Sequence, residues 1–219
     1  MSFFEEILQI TALSLQISGL ATGISLLLGL PLGTLLALGK FPGRSLLLSL
    51  INTGMGLPPV VVGLFVAIML WRSGPFGDLR LIYTPAAIII AQVIISFPVV
   101  AGLTTSALQA LDPRLQLQLR GLGASTPQMV WMLWREARMP LLAALMAGFG
   151  AVISEVGASM MVGGNIRYQT RVLTTAIVLE TGKGQFEMAI GLSVLLLTIT
   201  FLVNWALTVI QQRSLRRGQ

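Results

Sequence analysis

Residues 111–140 read LDPRLQLQLRGLGASTPQMVWMLWREARMP, and this interval decides how the rest of the chain is read. Long uncharged runs lie on both sides of it, while it carries Asp112, Arg114, Arg120, Arg135, Glu136 and Arg138. Its local chemistry predicts two short helices separated by a glycine turn. Asp112 is placed to cap the first, with Pro113 at the first helical position, where a missing N–H costs nothing. Leu115 to Leu119 alternate apolar and polar, a strand-like pattern, but Leu, Gln and Arg favour helix and the cap agrees with them. Gly121 and Gly123 can end that helix in a left-handed turn. Ser125 and Gln128 have capping-box spacing for the second helix, which is expected to reach about Arg138 before Pro140. Trp131 and Trp134, three apart, are expected on one face. Taken alone, the loop is either an amphipathic element resting on a membrane surface or a docking element for a partner.

The flanking sequence settles the class. Of the 219 residues, 55% are hydrophobic and 10% charged, with a mean hydropathy of +0.86. Soluble domains carry about 25% charged residues, so the composition is that of a membrane protein, and the long uncharged runs point to an all-α one. There is no Cys and no His, which excludes disulfides, thiolate or imidazole metal sites and Cys or His catalysis. Residues 7–39 form an uncharged run of 33, against the roughly 20 that a crossing helix needs. The run is too long for a signal peptide, and the acidic MSFFEE before it lacks a basic leader region. It holds a polar stripe of Ser14, Ser18, Thr22 and Ser25, the close-packing pairs Gly19/Gly23 and Gly29/Gly33, and a kinking Pro31. Further spans are expected at about 45–71, 81–111, 139–166 and 188–212, giving one five-span domain over 1–219 with the loop at 112–138. Residues 167–187, polar with an apolar middle, suggest a short helix on or dipping into the membrane surface.

Orientation follows from Lys and Arg. One set of connections and the tail hold nine basic residues: Lys40, Arg44, Arg114, Arg120, Arg135, Arg138, Arg213, Arg216 and Arg217. The other set holds five: Arg72, Arg80, Arg167, Arg171 and Lys183. With acids included the sides carry +7 and 0. The first side is therefore expected to be cytoplasmic, with the N-terminus outside and the C-terminus inside. This distribution accounts for the net charge of +6 without a nucleic-acid partner.

Two places in the spans carry chemistry. Leu57-Pro58-Pro59-Val60 breaks the second span just after Asn52 and Thr53, which is either a packing kink or the lining of a pathway. Glu155 is the only acid within a span, where ionisable groups are costly and are usually functional or paired. Ala147, Ala151, Glu155 and Ser159 would share a face of a continuous helix, beside a small stripe of Gly150, Ser154 and Ala158. Glu155 is then either a hydrogen-bonding strut between helices or a group on the pathway. Ser154 beside it is poorly placed as a nucleophile, since neighbours point about 100° apart. There is no GxxxxGK[ST] phosphate loop, so the chain is not expected to hydrolyse ATP.

Gly123-Ala124-Ser125 and Pro140 resemble the cytoplasmic loop of ABC-importer permeases, whose pattern is Glu-Ala-Ala, three residues, Gly, nine residues and Ile-x-Leu-Pro. Leu117-Gln118-Leu119 stands in place of Glu-Ala-Ala, and Pro140 lies 17 residues after Gly123 rather than roughly 13, about one extra helical turn. Phe41-Pro42-Gly43-Arg44, Leu57-Pro58-Pro59 and Ile153-Ser154-Glu155-Val156-Gly157-Ala158 look like the molybdate/tungstate branch. Met160 to Ile166 and Thr170 to Ile177 resemble its tungstate permeases.

The resemblance implies an ABC-importer-like fold working as a homodimer in a bacterial or archaeal plasma membrane. It implies an ATPase dimer below, an oxyanion-binding protein outside and membrane lipid around it. ATP is used by the partner ATPase, and the chain itself binds no cofactor or metal. Leu117, Gln118, Leu119, Gly123, Ala124, Ser125, Trp131, Trp134 and Pro140 become ATPase-coupling residues. Asn52, Thr53, Pro58, Pro59, Ser154, Glu155 and Gly157 become pathway or gate residues. The expected function is import of tungstate, with molybdate or sulfate as alternatives. A secondary transporter, which would need more ion-coupling groups than Glu155, is the alternative of another class.

Overall fold

A computed structural model describes the backbone of residues 3–216 and the side chains of 4–212. The tail residue Arg217 lies outside the described residues, as do the side chains of Arg213 and Arg216. The described residues form helices joined by loops, with no strand among them. The helices are α1 (Phe3–Leu38), α2 (Arg44–Met55), α3 (Pro59–Leu70), α4 (Pro85–Gln109), α5 (Pro113–Gly121), α6 (Thr126–Glu136), α7 (Arg138–Ile153), α8 (Gly157–Gly163), α9 (Leu173–Gly182) and α10 (Phe186–Arg216). A single 3-10 turn, Gly77–Leu79, sits in the loop between α3 and α4.

Three helices are long and apolar enough to cross a membrane alone: Phe4–Leu38, Pro85–Gln109 and Phe186–Gln212. The expected second span is two helices, α2 and α3, bent by 104°. Each has 12 residues, about 18 Å of rise, so neither crosses a hydrocarbon core of about 30 Å by itself. The bend follows from Pro58 and Pro59: Pro58 is extended, and Pro59 opens α3, where its missing N–H is not needed. The expected fourth span is likewise interrupted, because α7 stops at Ile153 and α8 starts only at Gly157.

α4 is the hub. Thr84 caps it, with its hydroxyl accepting from the Ala87 N–H, and Pro85 occupies its first turn. It packs on α1, α2, α3, α7 and α8 and buries residues on all sides. The polar stripe of α1 is buried too: Ser14, Ser18, Thr22 and Ser25 are all shielded, and the Ser25 and Ser96 hydroxyls bond across the α1–α4 contact. Of the two glycine pairs, only the second makes the contact predicted for it. A Cβ at Gly33 would lie 2.6 Å from the Ala101 carbonyl, and one at Gly29 2.9 Å from Val100 Cγ1. Gly19 and Gly23 have nothing within 4 Å in this chain. α1 runs through Pro31 as one helix.

α9 is the short helix anticipated in 167–187, and it dips between other elements rather than resting on them. Leu173, Thr174, Thr175 and Ala176 are buried, and the Leu173 N–H reaches the Ser14 hydroxyl of α1 at 2.8 Å. At the start of α1, Glu6 pairs with Arg167 and Arg171, and Gln9 donates to the Tyr168 carbonyl. Tyr83, in the loop before α4, donates its N–H to Val162. Toward the other end of α1, Thr34 accepts from the Trp134 indole and the Leu36 carbonyl from Arg44. Glu6 and Thr34 are 28 positions apart on one helix, about 42 Å. The basic-rich connections and the basic-poor ones thus sit at opposite ends of α1.

Replacing Gly33 by Val forces α1 from α4 at a backbone contact, and thermal unfolding in detergent should show a loss of about 1–3 kcal/mol. The same change at Gly19 should leave the unfolding midpoint in place.

Candidate functional site: the loop and the broken fourth span

The 111–140 loop is built by its caps. Asp112 Oδ1 accepts from the Arg114 N–H at 2.8 Å, and Pro113 starts α5. α5 ends in a Schellman turn: Ala124 N–H bonds to Leu119 O and Gly123 N–H to Arg120 O, both at 3.0 Å. Gly123 has φ 78°, the left-handed conformation that a residue without Cβ adopts at little cost. Gln128 Oε1 reaches back to the Ser125 N–H at 2.8 Å and to its hydroxyl at 2.9 Å. α6 ends at Glu136 rather than Arg138, and the chain turns by 75° into α7. Pro140 therefore sits in the first turn of α7, where no N–H is demanded.

Trp131 and Trp134 lie on neighbouring parts of one face but differ in burial. Trp134 is half-buried against Leu133 and Ala137 and is fixed by its indole N–H to Thr34 at 2.8 Å. Trp131 is 63% exposed. A spacing of three leaves side chains about 60° apart, enough for one to turn inward at the edge of the buried stripe. Leu108, Leu119, Met129, Leu133 and Ala137 form the core beneath the loop. Its exposed apolar side chains are Leu117, Leu122, Trp131 and Met132. Gln118, Gly123, Ser125, Arg114, Arg120 and Arg135 are also exposed, and Ala124 packs partly on the core.

The second site is the break at 154–156. Since the helix stops there, Ala147, Ala151, Glu155 and Ser159 do not form the continuous face expected of them. Glu155 instead closes the break. Its Oε1 accepts from the Ala158 N–H at 2.8 Å, and its N–H donates to Val152 O at 3.2 Å. Its carbonyl accepts from the Thr174 hydroxyl at 2.8 Å, tying the break to α9. Gln92 of α4 donates its amide to the same Val152 carbonyl at 3.2 Å. Ser154 is exposed and turns back to Gly150 O. Ser154 is thus bound into its own helix and is not paired with Glu155.

Gly157 brings in the proline break: a Cβ there would lie 2.7 Å from Val60 Cγ2. Pro58, Pro59, Val60, Glu155 and Gly157 consequently belong to one neighbourhood. Asn52 and Thr53 are exposed on α2, with the Thr53 hydroxyl bonded back to Ser49 O. Gln92, Thr174 and Ser14 were visible as polar residues in apolar stretches but carried no signal joining them to Glu155.

The described residues thus form a bundle of apolar helices with a broken fourth span and a capped loop appended to it. The chain belongs to the family of binding-protein-dependent transport system inner membrane components, whose model matches residues 29–216. It is 41% identical over 203 residues to a probable anion ABC transporter permease protein of Haloferax volcanii, covering 90% of this chain and 88% of the relative. It is 38% identical over 211 residues to the tungstate uptake system permease protein TupB of Peptoclostridium acidaminophilum, covering 96% and 92%. The fold is that of a chain in the MetNI methionine ABC transporter, with a TM-score of 0.76 at 19% identity, covering 98% of this chain and 99% of that one. Members are multi-pass transport subunits, not enzymes, and work with a separate ATPase and a substrate-binding protein.

Replacing Glu155 by Ala removes the acceptor for the Ala158 N–H, and thermal unfolding should record a loss of about 1–3 kcal/mol. Glu155→Gln keeps an acceptor oxygen and should lose less, whereas Glu155→Lys offers only donors and should fare worst.

Proposed function

We propose that this chain is the membrane pathway of an ATP-driven importer of tungstate, acting as a pair of identical subunits. The observation that carries the reading is the capped α5–α6 unit, which offers exposed Leu117, Leu122, Trp131 and Met132 among arginines while Trp134 locks it to α1. Exposed tryptophan with arginine nearby is the composition of an interface anchor. An ATPase subunit is its partner, and ATP is bound and hydrolysed there. The relatedness to the Peptoclostridium TupB supports tungstate. Molybdate is the second choice, supported by the 27% identity to the ModB permease of Escherichia coli.

Movement of α6 would pass through the 75° joint at Ala137 to α7. The break at 154–156 would then let α8 keep its packing on α3 and α4 while α7 swings. Asn52, Thr53, Pro58 and Ser154 are polar or backbone-freeing groups exposed at span positions of a single chain. Such groups must face protein or water rather than lipid, which supports a second copy placed over them with the pathway between. The apolar exposed side of α10, with Ile190, Val194, Leu197 and Phe201, suits membrane lipid. The charge asymmetry supports a cytoplasmic 111–140 loop and an outer Glu6–Arg167–Arg171 cluster, on the side from which a binding protein would deliver its oxyanion.

Two measurements test this. A Cys at Asp78 should react with an impermeant reagent added outside intact cells, and a Cys at Gln118 only after permeabilisation; the reverse pattern contradicts the orientation. Gly123→Asp should distort the Schellman turn without disturbing the spans. The variant complex should insert and assemble, yet substrate-loaded binding protein should no longer stimulate its ATP hydrolysis and uptake should stop. Normal stimulation and uptake would show that the loop does not couple.

A further inference from the structure

A cleft of about 810 Å³ opens between the start of α1, the 167–187 segment and the start of α10, and it shares no lining residue with the broken span. Its rim is charged, with Glu6, Arg167, Arg171, Glu180, Lys183 and Glu187. Its remaining wall is apolar: Ile7 of α1 with Met188, Gly191, Leu192 and Leu195 of α10. Glu187 and Leu195 are eight positions apart on α10, about 12 Å along its axis. α10 is long and apolar enough to cross a membrane, so the cleft runs from charged groups at the end of a span into acyl-chain depth. A Cβ at Gly191 would have nothing within 4 Å, which leaves a groove on α10 there. Ile190 and Val194, beside it on the same helix, are exposed.

The charges of the rim form two poles. Glu6 pairs with both Arg167 and Arg171, and Glu180 with Lys183. Three cations thus meet two acids, an excess of one positive charge. Arg171 Nε is buried without a hydrogen-bond partner, so this side is short of an acceptor. Lys183 spends one of its three ammonium hydrogens on Glu180 Oε1 at 2.8 Å. Glu187 is exposed and belongs to none of the ion pairs among the described residues, which leaves a negative charge unmatched. A small anion would satisfy the positive pole alone, and a soluble protein would not reach Leu192 and Leu195 at acyl depth. A phospholipid headgroup carrying both a phosphate and a primary ammonium matches the two poles, and its acyl chain matches the apolar wall.

We propose that this cleft binds one ethanolamine phospholipid, with its phosphate between Arg171 and Lys183, its ammonium on Glu187 and one acyl chain along the Gly191–Leu195 groove. The lipid fastens α10, which within the chain packs mainly on α9 and α7, to the start of α1. The inference rests on α1 and α10 spanning a membrane and not on which oxyanion the importer carries.

The test is native mass spectrometry of the full-length chain, purified in detergent, delipidated and titrated with phospholipids of identical acyl chains. Phosphatidylethanolamine should bind at one molecule per chain, about tenfold more tightly than phosphatidylcholine, which has no N–H to donate, or phosphatidylglycerol, which has no cation. Glu187→Gln, an exposed change that breaks no described ion pair, should bring the ethanolamine and choline lipids within about twofold of each other. Lys183→Ala should weaken both lipids alike, by about tenfold. Glycerophosphoethanolamine, the headgroup without its chains, should not displace the lipid at about a hundredfold excess. If Lys183→Ala fails to fold, Glu187→Gln still decides. Equal binding of the three lipids to the unaltered chain, a preference for phosphatidylglycerol, or an ethanolamine preference that survives Glu187→Gln would overturn the proposal. So would undiminished binding in a folded Lys183→Ala chain, or displacement by glycerophosphoethanolamine, which would mark a site for soluble phosphate compounds.

Discussion

Backbone polar groups inside a bilayer must find partners within the protein, and the broken fourth span is where this constraint bears hardest. A helix that stops at Ile153 and restarts at Gly157 frees carbonyls at one end and N–H groups at the other. Three side chains from separate places take them up. Gln92 donates to Val152 O, Thr174 to Glu155 O, and the Glu155 carboxylate accepts from Ala158 N–H. α4 and α9 are thereby fastened to the same three-residue gap. The cost of an ionisable group at this depth is offset by its service as a cap.

The remaining architecture distributes around that gap. α4 supplies the central wall, and its close approach to α1 at Gly33 brings the Ser14–Ser25 stripe into the interior. One end of α1 holds the ionic cluster of Glu6 with Arg167 and Arg171. The other holds Trp134 and with it the α5–α6 unit. Caps and a Schellman motif close the turns of that unit. It is joined to α1 through Trp134 and Thr34 and to α7 through the joint at Ala137. Through this arrangement a displacement of the α5–α6 unit would reach the gap on the far side of α7.

Much of this was legible beforehand where local rules dominate. Asp112, Pro113, Gly123 and Gln128 act as their positions require, since capping depends on a few neighbouring residues. The long apolar runs gave α1, α4 and α10 for the same reason. Illegible were features set by distant contacts. Glu155 looked like a point on a continuous helical face, because nothing local ends α7: the sequence Ile153-Ser154-Glu155-Val156 contains neither Pro nor Gly. The break is stabilised by Gln92 and Thr174, which are 63 residues before and 19 after Glu155. The difference in burial between Trp131 and Trp134 likewise depends on Thr34, a residue of another helix. Pro58-Pro59 announced a break but not its 104° angle, which needs Gly157 to let Val60 approach.

The account stands on the chain being a passive pathway opened by a separate ATPase rather than a carrier in its own right. Proteoliposomes containing this chain, its ATPase and its binding protein, loaded with ATP, measure that directly through accumulation of radiolabelled tungstate. Accumulation should require all three proteins and internal ATP, and liposomes with this chain alone should take up none under an imposed proton or sodium gradient. Gradient-driven uptake by the chain alone, without ATP, would contradict the account.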